Sequence, residues 1–378
     1  MQPNAVYIHI PFCSHKCYYC DFTAYVVDGQ PVEQYLTALE QEMKMWVEEV
    51  PPTAIQSVFI GGGTPTILSI EQMKRLLAMV DRYFPIHASC EWTVEANPET
   101  TSEELLHVMK EEGVNRLSFG AQTFHLDLLQ QIGRIHGVQE IIDSIAIARK
   151  VGFSNLSLDL MFGLPNQRVI DLEETIQQAA SLNPDHFSCY SLKVEEGTRF
   201  HYLEQQGKLP LPNEEAELEM YQLARKLLPQ HGYQQYEISN FAREGMESIH
   251  NSTYWRNQTF YGLGAGAHGY INHQRYANQK VIREYIKVIE QRKRPIVSRW
   301  DVDKREMMEN FMIMGLRLME GVSRADFQMR YHLEMDQVFG EELERLKKQG
   351  LLMNEEDRVR LTEQGILFGN EVFAAFLS

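Results

Sequence analysis

Tyr7–Phe22, YIHIPFCSHKCYYCDF, opens with a short apolar strand and runs into a loop that carries three cysteines. Cys13, Cys17 and Cys20 have the spacing C-x3-C-x2-C, so three thiolates can converge on one face of an iron–sulfur cubane. Three ligands leave one iron of a [4Fe-4S] cluster without a protein ligand. A structural zinc ion would normally close its shell with a fourth Cys or His. The alternatives here are a zinc loop that uses His15 or His9, or an accidental clustering of the cysteines. The other two cysteines, Cys90 and Cys189, sit inside strand patterns and read as buried apolar residues.

Working outward, short β-branched and aromatic runs alternate with helical patterns, the sequence sign of βαβ units around a parallel sheet. The strands are expected at VYIHI (Val6 to Ile10), SVFIGG (from Ser57), EWTVEA (from Glu91), RLSFGAQ (from Arg116), LSLDLMFG (from Leu156) and HFSCYSL (from His186). Amphipathic stretches lie between them at 32–50, 70–83, 102–112, 138–151 and 171–182. Six β/α units predict a partial (β/α)6 barrel. Polar residues gather where the strands end, at Cys13, Gly61 to Thr64, Glu95, Gln122 and Asp159, and strand ends form the catalytic face of a parallel barrel. The expected domains are residues 1–240 as the barrel, 241–299 as a connecting segment, and 300–378 as a smaller, mostly helical domain. In that last part FGEELERLKKQGLL, the strand-like RVRLT and EQGILFGNEVFAAFL read as helix, wing and helix.

Composition narrows the function. The chain has 378 residues and a formal net charge of −16, which would repel a phosphate backbone. A nucleic-acid partner is therefore not expected. No run approaches the ~18 apolar residues of a membrane span, and MQPNAVYIHIPFC has no basic region before an apolar one, so it does not read as a secretory signal. A cytoplasmic protein is expected, with no transmembrane segment; contact with a membrane surface is left open. Five cysteines, three of them within eight positions, fit metal ligation and not a disulfide scaffold.

YIHIPFCSHKCYYCDF followed by FIGGGTPT resembles the radical S-adenosylmethionine superfamily, and within it the family of oxygen-independent coproporphyrinogen III oxidase and its relatives. The resemblance covers essentially the whole chain. It implies the partial barrel of that superfamily, and an open iron that binds the amino and carboxylate groups of S-adenosylmethionine. It also implies reductive cleavage of the sulfonium to methionine and a 5′-deoxyadenosyl radical. Carried over residue by residue, it places Tyr7 and Tyr19 around the cofactor and Gly61, Gly62, Gly63 and Thr64 against the methionyl group, where a Cβ would intrude. It makes Glu95 in VEANPE a carboxylate for an ammonium or a ribose hydroxyl. Gln122 in FGAQT, Arg134 in GRIH and Asp159 in LDLMFGLP match further cofactor positions. On its own, each of these would read as a tight turn, an exposed acid or a surface ion pair.

Within the family, the oxidases carry a further cysteine two positions after the third cluster cysteine, where this chain has Phe22. They also carry an N-terminal extension that helps cover the substrate, whereas here the first strand begins about five residues from the start. Both departures argue against the decarboxylation. His250-Asn251-Ser252-Thr253-Tyr254-Trp255 matches H-N-x-x-Y-W between YEISNFA and GLGAGAHG, and that combination is similar to the HemW type of haem chaperone, which delivers haem to acceptor proteins. The resemblance implies haem as a further cofactor, with His250 as its axial ligand, since imidazole commonly ligates haem iron. Tyr254 and Trp255 would stack on the porphyrin, and His268 is a second axial candidate. The plain alternative is that His250 is a turn residue and the two aromatics are core. The cluster loop and the His250 segment are expected to form separate sites. Two other functions compete: a radical oxidoreductase acting on coproporphyrinogen III, and a radical alkylating relative with two S-adenosylmethionine molecules.

Overall fold

RLSFGAQ (Arg116–Gln122) is buried at every position, as expected of a parallel strand covered on both faces. In the computed structural model, which describes residues 2–378, it is one of twelve strands in a single sheet. Numbered in chain order, these are β1 Ala5–Ile10, β2 Ile55–Gly62, β3 Ile86–Ala96, β4 Arg116–Gln122, β5 Asn155–Phe162, β6 His186–Ser191, β7 Gln234–Gln235, β8 Asn240–Ala242, β9 Phe260–Leu263, β10 His268–Ile271, β11 Gln274–Asn278 and β12 Ile296–Asp301. The sheet runs β12-β11-β10-β9-β1-β2-β3-β4-β5-β6-β8-β7. Strands β1 to β6 are consecutive and all parallel, which is the predicted six-unit partial barrel.

Helices Val32–Glu49, Ile70–Tyr83, Glu103–Glu111, Val138–Val151 and Val169–Ser181 join these strands. The first buries Tyr35, Leu36, Leu39, Met43 and Trp46, a three-and-four spacing that lays one stripe on the sheet. Ser69 and Gln72 cap the second reciprocally, and Gly152 ends the fourth in the left-handed region at φ 101.

The sequence pattern loosens after Leu192, yet the structure is regular there. Strand β9 pairs parallel to β1, and β10, β11 and β12 extend the sheet antiparallel. The stretch expected as a connection thus adds four strands to the sheet, together with helices Ile249–Trp255 and Ile282–Glu290. The reason is crowding: a Cβ on Gly262 would lie 1.7 Å from the His268 carbonyl oxygen, and one on Gly269 2.2 Å from the Tyr276 ring. Glycine replaces the β-branched residues by which a strand is recognised.

Residues 304–378 build a second core around Met312, Phe327, Phe339, Leu343, Val359 and Phe376. Helix Lys304–Gly315, strand β13 Val322–Ser323, helices Arg324–Tyr331 and Met335–Lys348, then hairpin strands β14 Leu352–Glu355 and β15 Arg358–Leu361 follow in order. This is the helix-and-wing arrangement expected. It docks on the barrel through Arg225 with Glu363 and Arg256 with Glu320.

Because β1 to β6 run the same way, their carboxyl ends share one face. The cysteine loop follows β1 there, held by the pairing of Phe12–Cys13 with Tyr25–Val26. At the opposite end, Ser57, Arg116, Ser157 and His186 occupy the early positions of β2, β4, β5 and β6, and Glu91, in register with Ser57, the middle of the longer β3; helix Ile249–Trp255 packs across them.

Candidate functional site

At the carboxyl face, a chain of hydrogen bonds ties the cysteine loop to the barrel. Thr64 Oγ1 donates to Cys13 Sγ (3.5 Å), Asn97 Nδ2 to Thr64 Oγ1 (3.0 Å), Arg134 Nη1 to Asn97 Oδ1 (2.7 Å) and Arg134 Nη2 to the Tyr19 hydroxyl (3.0 Å). The three thiols are partly exposed and free of disulfides. Among the described residues, no three His, Cys, Asp or Glu are gathered about a single-ion position. Burial pushes the Cys20 thiol up to about 11. Burial also opposes ionisation of Cys17, but Arg134 and His15, whose Nε2 is 3.7 Å from the sulfur, outweigh it and lower its pKa.

The glycines at the end of β2 form a cradle that side chains cannot enter. Gly62 has φ +108, and a Cβ there would lie 2.4 Å from the His9 ring. A Cβ on Gly61 would meet the Glu95 carboxyl carbon at 2.7 Å, and one on Gly63 the Phe12 carbonyl at 2.5 Å. The Gly62 N–H donates to Glu95 Oε2 at 2.9 Å. Burial, with Asp159 adding to it, pushes the Glu95 carboxyl up to about 7. Asp159 is raised by burial too, although Ser118 donates to it at 3.1 Å. Gln122 adopts φ 66 where the β4–β5 pairing slips, which turns the chain inward at the strand end. Tyr7 donates to or accepts from His9 Nδ1 at 2.9 Å.

At the other end, His250 is 1% exposed. Its Nδ1 lies 3.0 Å from Ser57 Oγ and its Nε2 2.7 Å from the Tyr254 hydroxyl, so both ring nitrogens are engaged. The ring stacks on Phe59 at 5.1 Å. Burial, then the Arg116 charge, pushes its pKa down to about 3. Glu91 accepts from Ser248 Oγ and from the Ile249 and His250 N–H groups, which caps the helix that carries the motif. His186 sits in a matching frame, between Ser157 Oγ (2.8 Å) and the Tyr236 hydroxyl (2.9 Å).

These two ends belong to one cavity of about 490 Å³. It is lined by Cys13, Cys17, Cys20, Tyr7, Tyr19, Gly62, Gly63, Thr64, Glu95, Gln122, Arg134, Asp159, His250 and Tyr254. The expectation of two separate sites is corrected: the strands that carry the rim residues at their ends carry the floor residues at their starts, around a common lumen. Gly61 backs Glu95 from behind the wall. Trp255 faces away, into a separate 250 Å³ hollow at the seam with the second domain, with the Arg317 guanidinium 4.3 Å over its ring. His268 is exposed and does not line the cavity. Sequence reasoning missed Asn97, Ser57, Glu91 and Arg116. Asn97 stands two residues after Glu95 and could have been noticed; the floor residues lie inside strands and give no local signal.

The chain matches the Radical SAM superfamily over residues 7–179 and the HemN C-terminal domain over residues 302–368. A Bacillus subtilis (strain 168) protein named heme chaperone HemW is 49% identical over 375 residues, covering 99% of both chains. The chain belongs to the HemW family of radical S-adenosylmethionine proteins. Heme chaperone HemW of Escherichia coli (strain K12) is 34% identical over 385 residues, covering 100% of this chain and 99% of that one. Among solved structures, coproporphyrinogen III oxidase (HemN) from Escherichia coli, a radical SAM enzyme, superposes with a TM-score of 0.87 at 26% identity, covering 99% of this chain and 90% of that one. HemW-family membership accounts for the second domain, which matches the HemN C-terminal type. Among the described residues no helix is long and apolar enough to cross a membrane.

Proposed function

We propose that this protein is a haem chaperone, with a [4Fe-4S] cluster held by Cys13, Cys17 and Cys20 and S-adenosylmethionine bound beside it. The observation that carries the reading is the single cavity with free thiols at one end and the H-N-x-x-Y-W histidine at the other, in a chain 49% identical to a protein named heme chaperone. The donor set fits the cluster: three partly exposed thiols without a fourth protein ligand, beside a glycine cradle that a Cβ would fill. When bound, the cluster supplies an electron and an open iron for the amino acid end of S-adenosylmethionine.

The chain's own residues do the rest. Gly62 and Gly63 let the backbone approach the methionyl group, and Glu95 accepts from its ammonium. Arg134 holds Asn97 and Tyr19 in place, so that the cradle and the cysteine loop stay in register. Asp159 and Gln122 face the remaining polar groups of the cofactor. His250 is the proposed haem ligand. Its Nε2, now paired with the Tyr254 hydroxyl at 2.7 Å, would be the ligating atom once that hydroxyl let it go. Acceptor proteins are the proposed partners.

The test is a haem titration of the anaerobically reconstituted protein, read in the Soret band. Near-stoichiometric binding is expected, and His250→Ala should weaken it or shift the band. A second reading, coproporphyrinogen decarboxylation, is favoured by the TM-score of 0.87 to the oxidase. Against it stands Phe22, 62% exposed at the cavity mouth where the oxidases carry a cysteine. Turnover of coproporphyrinogen, with haem binding indifferent to His250, would replace the chaperone reading.

A further inference from the structure

Arg116 is the first residue of β4, and it lines the floor of the cavity at 2% exposure. Its buried Nε has no hydrogen-bond partner among the described residues, and its one ionic neighbour is Glu91 Oε2 at 3.9 Å, beyond hydrogen-bonding distance. Glu91 cannot come closer for free: both of its oxygens already accept from the cap of the His250 helix. The other carboxyls that feel this charge are Glu95 and Asp159, each held toward its neutral form by burial. The flanking His186 and His250 are neutral, pushed down by burial and by Arg116 itself. A guanidinium buried with unfilled donors is costly to keep, and its planar fork suits a carboxylate at two points where a lysine would not.

We propose that Arg116 receives a carboxylate of the ligand that occupies the floor, and, resting on the haem-chaperone reading, that this carboxylate is a propionate of haem. The carboxylate of S-adenosylmethionine is spoken for at the other end. The Arg116 backbone lies a full strand below Gln122, about 20 Å at 3.3 Å per residue, and its charge reaches up the lumen only as far as Glu95 and Asp159 among the carboxyls, whereas the cysteines follow the strand ends. The same floor carries His250, so an iron ligand and an anion receptor stand side by side. That pairing is what a metalloporphyrin with acidic side arms requires.

The experiment compares haem with haem dimethyl ester, in which both propionates are blocked, on wild-type protein, Arg116→Lys and Arg116→Gln. Wild type should bind free haem about ten- to hundred-fold more tightly than the ester, the range for a hydrogen-bonded charge. Arg116→Gln should lose most of that preference by weakening haem and leaving the ester unchanged, and Arg116→Lys should fall between. S-adenosylmethionine binding should be the same in all three. Equal binding of haem and ester by wild type overturns the inference, whether or not the variants fold, and leaves the chaperone reading intact. So does a variant that loses S-adenosylmethionine while keeping the haem preference. Failure of wild type to bind haem at all removes the chaperone reading, and this inference with it.

Discussion

The rim and the floor of the cavity are built in opposite ways. At the rim, functional groups hang on loops beyond the strand ends, the thiols are partly exposed, and glycines hold the space before them open. On the floor the groups sit inside strands and on one short helix, and nearly all of them are already partnered. His250 uses both ring nitrogens and Glu91 both oxygens. The rim can therefore take a ligand without rearrangement, while the floor has to release something first. A preorganised site gains its affinity by avoiding that cost. A closed one gains a switch: on the proposed reading, the His250–Tyr254 hydrogen bond is the latch that haem would have to open.

The sharpest way to break this contrast is to remove each end's key residue. Cys13→Ala, Cys17→Ala or Cys20→Ala should lower iron from about four per reconstituted chain to almost none. The melting temperature of the cluster-free protein should hardly change, because none of these thiols belongs to a core cluster. Glu91→Ala should do the reverse. It strips the cap from the His250 helix and leaves Arg116 without its one counter-charge, a loss of about 3–5 kcal/mol for a broken buried pair, read by urea denaturation. The folded fraction should still take up iron at wild-type stoichiometry. If the cysteine variants unfold and the Glu91 variant does not, the two ends do not differ as described.

The same contrast explains what the sequence disclosed. The rim was legible because its chemistry is written in consecutive residues: three cysteines in one loop, three glycines in another, and Glu95 in VEANPE. The six parallel strands were legible because buried strands are long apolar runs. The floor was not, since Ser57, Glu91, Arg116 and His186 come from four different strands and meet only when the barrel closes. His250 and Trp255 read as one motif, yet a helix sends residues five apart to different faces, and the structure puts them on either side of it. Strands β9 to β11, which extend the sheet beyond β1, were hidden by glycines at Gly262 and Gly269, which the close crossing demands.

A smaller change sharpens the rim's side of the comparison. Gly62→Val forces a β-branched residue into φ +108 and onto the His9 ring, with about 1–3 kcal/mol of local strain. Iron content should stay near wild type, because the thiols are untouched. The effect of S-adenosylmethionine on the EPR signal of the reduced cluster should need about tenfold more ligand or vanish, as expected when a cradle shifts. A wild-type response in Gly62→Val would show that the cradle does not face the cofactor.

The smallest expected effect is also the cleanest discriminator, because the two ends should answer pH differently. Glu95 is held by burial near pKa 7 in the ligand-free protein, against about 4.3 for an unperturbed glutamate. A cationic ligand beside it favours the carboxylate and lowers that pKa, so binding releases a proton. Affinity for S-adenosylmethionine should then rise with pH, by no more than about tenfold per unit, and level off above about pH 7, where Glu95 is already ionised. It should be flat again below the pKa of the bound state. Glu95→Gln should bind weakly and lose the slope, which separates Glu95 from the ligand's own titration. On the floor, His250 is pushed down to about 3, so it stays neutral from pH 5 to 8 and adds no slope to haem binding there. Calorimetric titrations at three pH values, with S-adenosylmethionine and haem run in parallel, would show it. A flat profile for S-adenosylmethionine, or a Glu95→Gln variant that keeps the wild-type slope, would mean that Glu95 does not face the positive end of the cofactor.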